Sequence, residues 1–180
     1  MKAREIKFRA KVVKPKGCIV LGYHHLKEGD WVYGELHATA KTPHIHIDPT
    51  TRIPIDAGTI GQFTGLYDKN GREIYEGDLV RYFIEDTRCV NPDCEPFNYI
   101  YEPILRKIVC EVSFASGSFV TDDGLPLAWC GIDNLQEVRD DLHVSEEEGW
   151  GDADGHIIDE SILGIEVVGN IHDEGKEERP

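Results

Sequence analysis

Thr59-Ile60-Gly61-Gln62-Phe63-Thr64-Gly65-Leu66-Tyr67-Asp68-Lys69-Asn70-Gly71-Arg72-Glu73-Ile74-Tyr75-Glu76-Gly77-Asp78-Leu79-Val80 alternates short apolar runs with bends. Asp68-Lys69-Asn70-Gly71 has turn chemistry: Asn and Gly accept positive φ, and an Asp carboxylate bonds its own backbone two residues on. Asn-Gly between two apolar-containing runs predicts a hairpin. Phe63 and Tyr67 fall on one face of its first strand, with Leu66 on the other. Glu76-Gly77-Asp78 makes a second bend before the β-rich run Leu79–Ile84. Glycines at 61, 65, 71 and 77 suit short strands that curl into a small barrel better than a flat sheet. A phosphate-cradling loop is the functional rival, but no Gly-rich segment here has the Lys-Ser/Thr ending or the strand-to-helix setting that it needs.

Working outward, residues 4–13 alternate charged and apolar side chains. Ile6, Phe8, Ala10 and Val12 share one face, and Glu5, Lys7, Arg9 and Lys11 the other, as in a half-buried strand. The basic row reads as protection of an exposed edge, in preference to a phosphate contact. Cys18–Tyr23 and Trp31–Leu36 read as further strands, the second with Trp31 and Tyr33 on one face. Pro43 to Pro54 reads as extended segments. Residues 85–107 contain Asn91-Pro92-Asp93, Glu95-Pro96 and Pro103 and read as a loop-like excursion. Strands return at 108–114 and 117–120, with a turn at Asp122-Asp123-Gly124. A short helix is expected from Asp133, capped by it with Gln136 three residues on; Leu135, Val138 and Leu142 form its apolar stripe. Glu146 to Asp154 is an acidic loop, Ile162–Ile171 the last strand, and 173–180 a frayed tail. Gly-Asp recurs at 29–30 and 77–78, each before an apolar run, hinting at two related modules.

These elements predict a mainly β fold: one or two small SH3-like barrels of short curled strands, with one short helix and long loops. The 180 residues form one domain, with β-modules at 1–58 and 59–172 as its natural division. Apolar residues make up 40%, enough for a core. Acids outnumber bases 34 to 19, for a net charge of −15, which opposes binding to nucleic acid or an anionic membrane. The charge is polarised: residues 2–16 carry net +6, and 133–180 net −13. Self-complementarity between subunits would use that asymmetry. No membrane span or signal peptide is seen, and five cysteines do not suggest a disulfide framework, so the cytoplasm is expected.

Few residues offer chemistry. His44 and His46 alternate on a strand and face one side; with His24, His25 or His37 they would make a zinc or nickel site, although no motif supplies the third ligand. Cys89 and Cys94 resemble half a zinc ribbon without its second pair. Metal binding is therefore open. Ser116 lacks a nucleophile elbow. Asp122, Asp123 and Glu146–Glu148 read as solvated turn acids. Trp31, Tyr33, Tyr67, Tyr82 and Trp129 read as core residues rather than base-stacking platforms. No catalytic residue and no cofactor are expected.

Arg4-Glu5-Ile6-Lys7-Phe8-Arg9, Trp31-Val32-Tyr33-Gly34, the 59–71 run, Ile74–Val80 and the closing Ile165–His172 together resemble the YopX family over nearly the whole chain. Residues 85–107 and 145–160 are the most individual. The resemblance implies a small, mostly β protein of phages and prophages with an SH3-like barrel, and no catalytic set to carry over. A non-enzymatic module that self-assembles or binds a host protein is therefore expected first. A nucleic-acid role comes second, by direct binding through the basic strand or by DNA mimicry through the acidic end. A metal-dependent hydrolase on His44 and His46 comes third.

Overall fold

Two antiparallel sheets account for most of the computed structural model, which describes residues 6–13, 26–38, 43–89, 101–122, 124–142 and 157–173. The first sheet has the order β4-β3-β2-β1-β5-β6 and the second β10-β7-β8-β9. The strands of the first are β1 (Phe8–Lys11), β2 (Trp31–His37), β3 (His44–His46), β4 (Arg52–Pro54), β5 (Gly61–Tyr67) and β6 (Glu73–Tyr75). Those of the second are β7 (Asp78–Cys89), β8 (Tyr101–Ala115), β9 (Ser118–Thr121) and β10 (Glu166–Asn170). The sheets therefore divide between β6 and β7, and the 59–75 segment lies in the sheet of the first half.

The first sheet curls. Past the end of β1, Val12 bridges Ile55 antiparallel, Val13 N donates to Pro54 O at 3.0 Å and Asp56 N to Lys11 O at 2.9 Å. The first four strands thereby close on themselves around Ala10, Val12, Val32, Ile45, Ile53 and Ile55, all buried. This is the small mainly β, barrel-like fold that the turn spacing predicts.

The opening hairpin forms as read. Asp68 Oδ1 accepts from Asn70 N and Arg72 N, both at 2.8 Å, and Gly71 adopts φ +79°. Asp68 Oδ2 also accepts from Val167 N at 3.1 Å, tying the turn to β10. Pairing slips between Phe63↔Tyr75 and Tyr67↔Glu73, where β5 carries two more residues than β6. Thr64 Oγ1 donates to Ile74 O and accepts from Leu66 N there, satisfying groups that the bulge unpairs.

The two Gly-Asp pairs share a turn. Asp30 Oδ2 accepts from Lys27 N at 2.7 Å, and Asp78 Oδ2 from Tyr75 N at 2.8 Å, with Gly29 at φ +89° and Gly77 at φ +80°. Each turn launches a strand.

Four expectations need correction. Strand β1 is interior, between β2 and β5, so its basic row does not guard an edge. The 85–107 excursion is strand at both ends: Glu85↔Leu105 through Cys89↔Tyr101 extend the β7–β8 ladder. Leu105 is fully buried there against the helical segment, and that anchor outweighs the prolines. The helix α1 (Leu135–Asp141) is capped by Asn134 rather than Asp133, with Asn134 Oδ1 accepting from Gln136 N at 3.1 Å. Its apolar stripe is Leu135, Val138 and Leu142 as foreseen, and it packs with Leu105 and Phe83. The last strand is shorter than read, because Glu160–Ile162 form a 3-10 turn before it. The Cys18–Tyr23 strand, the 146–154 loop and most of the 173–180 tail lie outside the described residues.

Helix α1 brings acids to the β7–β8 ribbon. Desolvation, a hydrogen bond shared with Asp141, and the charges of Asp141 and Glu137 raise the carboxyl pKa of Glu85. A carboxyl raised in the folded state favours folding fully below its unfolded pKa of about 4.3, and loses that contribution as pH rises through the folded value. Glu85→Gln should therefore be more stable than wild type at pH 7, with the gap closing towards pH 4. Urea unfolding at both pH values checks this; an equal or lower midpoint at pH 7 would refute it.

Candidate functional site

Strand β1 and the residue just before it carry Lys7, Arg9 and Lys11 on the face opposite the barrel interior. That face is covered by aromatic and acidic groups from distant segments. Arg9 is 3% exposed and donates from Nη2 to Asp78 Oδ1 at 2.6 Å, and Asp78 is 0% exposed. The guanidinium lies between the rings of Trp31 and Tyr75, 4.7 Å from each centroid. Arg9 Nε is buried without a hydrogen-bond partner. Asn170 Nδ2 donates to Gly77 O at 2.6 Å and approaches Asp78 Oδ1 at 3.4 Å, so β10 closes the same centre. This is a joint between the two sheets, with a neutralised charge and no open approach.

Lys7 and Lys11 flank it. Lys7 Nζ donates to both oxygens of Glu73, at 2.8 and 2.7 Å, and lies 5.8 Å from the Tyr33 centroid. Desolvation opposes ionisation of Glu73, but Lys7 and the Tyr75 hydroxyl outweigh it and lower its pKa. The Tyr75 phenol is pushed well up, by burial first and then by Glu73. Lys11 Nζ donates to His172 O, lies 3.5 Å from Asp173 Oδ1, and sits 5.4 Å from the Trp31 centroid. The basic strand thus meets acids of its own chain.

Beside Lys7 the surface opens into a groove of about 540 Å³, lined by the two residues before β1, by β2, and by the end of β3 and the turn after it. Ile6, Tyr33 and Ile47 give it an apolar wall and are 68%, 44% and 36% exposed. Glu35, His46, Asp48 and Pro49 complete it. Gly34 forms its floor, where a Cβ would overlap His46 O. The Asp48 carboxylate is held far below the usual range by hydrogen bonds from Thr51 and Thr50, so it is anionic at all working pH values. The aromatic row continues from Tyr33 to Tyr75 to Phe63 to Tyr67, at centroid spacings of 5.7, 5.5 and 5.5 Å.

His37 and His44 face each other across β2 and β3, and His46 is opposite Glu35. The His37 and His46 rings stack, 4.0 Å apart at 10°. Desolvation, His37, Arg52 and His44 lower the His46 pKa against the pull of Glu35. His46 should titrate below its ordinary 6.5 in an imidazole NMR titration, and His37→Ala should raise that midpoint; a wild-type midpoint at or above 6.5 would contradict the stack.

Among the described residues no three His, Cys, Asp or Glu side chains are placed to hold a metal ion. His24, His25 and Cys94 lie outside those residues. Ser116, with φ +51°, and Gly117, with φ +86°, form the β8–β9 turn. Tyr82 is in the core as expected, but Tyr33, Tyr67 and Trp129 are not: they are 44%, 56% and 78% exposed. Leu127 fills the core from the 3-10 turn that carries Trp129. Sequence reading missed both the groove and the Arg9–Asp78 pair. The pair spans 69 residues, and the alternation assigned Ile6 to the buried face although it is 68% exposed in the groove.

Among the described residues no helix is long and apolar enough to cross a membrane. A family model described as YopX protein matches residues 7–176. No curated protein and no solved structure matches the chain.

Proposed function

The chain belongs to the YopX family, and from that premise we propose a non-enzymatic protein-interaction module of phage or prophage origin, working in the bacterial cytoplasm. The groove carries the reading. Ile6, Tyr33 and Ile47 are exposed side by side in a concave site with charged groups at its rim. Clustered apolar exposure in a concavity is where partners dock. The basic row beside it serves folding: Lys7, Arg9 and Lys11 each face a carboxylate. That arrangement also removes the motive for direct nucleic-acid binding through β1, because a phosphate would have to displace an internal acid.

Ile47→Ala and Tyr33→Ala test the proposal. Each truncation removes partly buried surface, and Tyr33→Ala also removes the ring contact with Tyr75, so each should cost about 1–2 kcal/mol and leave the protein folded. Both should abolish capture of a partner, or self-association read by light scattering. A partner or dimer retained by both variants would refute the groove as the interaction site.

A further inference from the structure

We infer that the groove takes a protein segment that combines an aliphatic or aromatic residue with a lysine or arginine. This rests on reading the groove as a docking site and adds the chemistry of its occupant. The apolar part follows from Ile6, Tyr33, Ile47 and Pro49 on the walls. The charge follows from which rim groups are already satisfied. Lys7 is the groove's lysine, and both its Nζ bonds go to Glu73. His46 is the other basic group, and its pKa is lowered by desolvation, His37, Arg52 and His44. Glu35 is 78% exposed; its ion-pair partner is His37 Nε2 at 4.0 Å, which is charged only when protonated. The Asp48 carboxylate, also on the lining, is fixed by hydrogen bonds from Thr50 and Thr51. Arg52 pairs with His46 across β3 and β4 but does not line the groove; among the lining residues Glu35 and Asp48 stand against Lys7, which Glu73 neutralises, so the lining is acidic near pH 7. A cationic side chain placed on it meets complementary potential, whereas an acidic one meets repulsion.

The experiment selects random displayed heptapeptides against the full chain, then measures synthesised winners by fluorescence anisotropy on wild type, Ile47→Ala, Tyr33→Ala and Glu35→Lys. The expected winners pair Lys or Arg with an apolar residue. They should lose binding in Ile47→Ala and Tyr33→Ala, and weaken roughly tenfold in Glu35→Lys. Unfolding midpoints confirm that each variant is folded. Winners that are acidic or uncharged, or indifferent to Glu35→Lys, yet lost in Ile47→Ala, overturn the charge inference and leave the groove as a docking site. Absence of any peptide that depends on Ile47 and Tyr33 overturns both. Light scattering reads the remaining occupant: a dimer that Ile47→Ala dissolves makes a second copy the ligand and overturns the basic segment.

Discussion

Asp78→Ala should cost about 3–5 kcal/mol of folding stability, because it strands Arg9 as a buried, unpaired charge. The carboxylate has three tasks: it accepts from Arg9 Nη2 at 2.6 Å and Tyr75 N at 2.8 Å, and faces Asn170 Nδ2 at 3.4 Å. Neither Arg9 nor Asp78 can reach water in place, at 3% and 0% exposure. Screening therefore does not soften the loss as it would at the surface. Domains have about 5–15 kcal/mol in total, so the variant should sit near the edge of unfolding. Arg9→Met is the complementary test. It leaves the acid with the Tyr75 and Asn170 donors, and it keeps an apolar stem between Trp31 and Tyr75, so it should cost less. The double variant should fall short of the sum by about 1–3 kcal/mol. Urea unfolding of the four proteins measures this. An Asp78→Ala loss below about 1 kcal/mol, or strict additivity, would show that the pair is not the joint between the sheets.

What could be read from sequence follows the range of the interaction. The Asp68–Gly71 turn is held by bonds within a few residues, and the Val138 stripe and the extended Pro43–Pro54 run are signalled by local spacing and prolines. Their chemistry is local, so spacing reveals them. Strand β1 illustrates the limit. Its alternation predicts a strand and an apolar face, and Ala10 and Val12 are buried accordingly. Alternation cannot say that the opposite face is also covered, because the cover comes from Glu73, Asp78 and Asp173, far along the chain. Three bases then look like a solvated row when they are the internal partners of three acids. The β7–β8 ribbon shows the same limit from the other side. Pro103 and the polar run at 85–89 suggest loop, yet Leu105 and Phe83 give the ribbon an apolar anchor. The groove was least legible, since Ile6, Tyr33 and Ile47 meet only once β1, β2 and β3 are in register.

Gly61→Ala should cost about 1–3 kcal/mol, the range for forcing extra volume into a packed site. The residue pairs with Arg9 across β1 and β5, and a Cβ there would overlap Glu76 O. That carbonyl is backbone, so no side chain can rotate away. The strain must move the Glu76–Asp78 turn, which holds Asp78 against Arg9. Position 61 thus reaches the same joint from the opposite strand. The effect is steric rather than conformational, and other glycines separate the two. At Gly71 a Cβ meets nothing within 4 Å, but φ is +79°, so Gly71→Ala reports left-handed strain alone, at about 1–2 kcal/mol. At Gly169 φ is not left-handed and the nearest atom is Leu79 Cδ1 at 3.7 Å, so Gly169→Ala should stay within about 1 kcal/mol of wild type. Gly34→Ala repeats the steric case at the groove floor, where both stability and peptide binding should fall. Gly61 lies away from the groove walls, so Gly61→Ala should lower the unfolding midpoint while the folded fraction still binds selected peptides with wild-type affinity. A Gly61→Ala protein of normal stability that had lost only peptide binding would place the 59–80 segment in the binding machinery rather than in the scaffold.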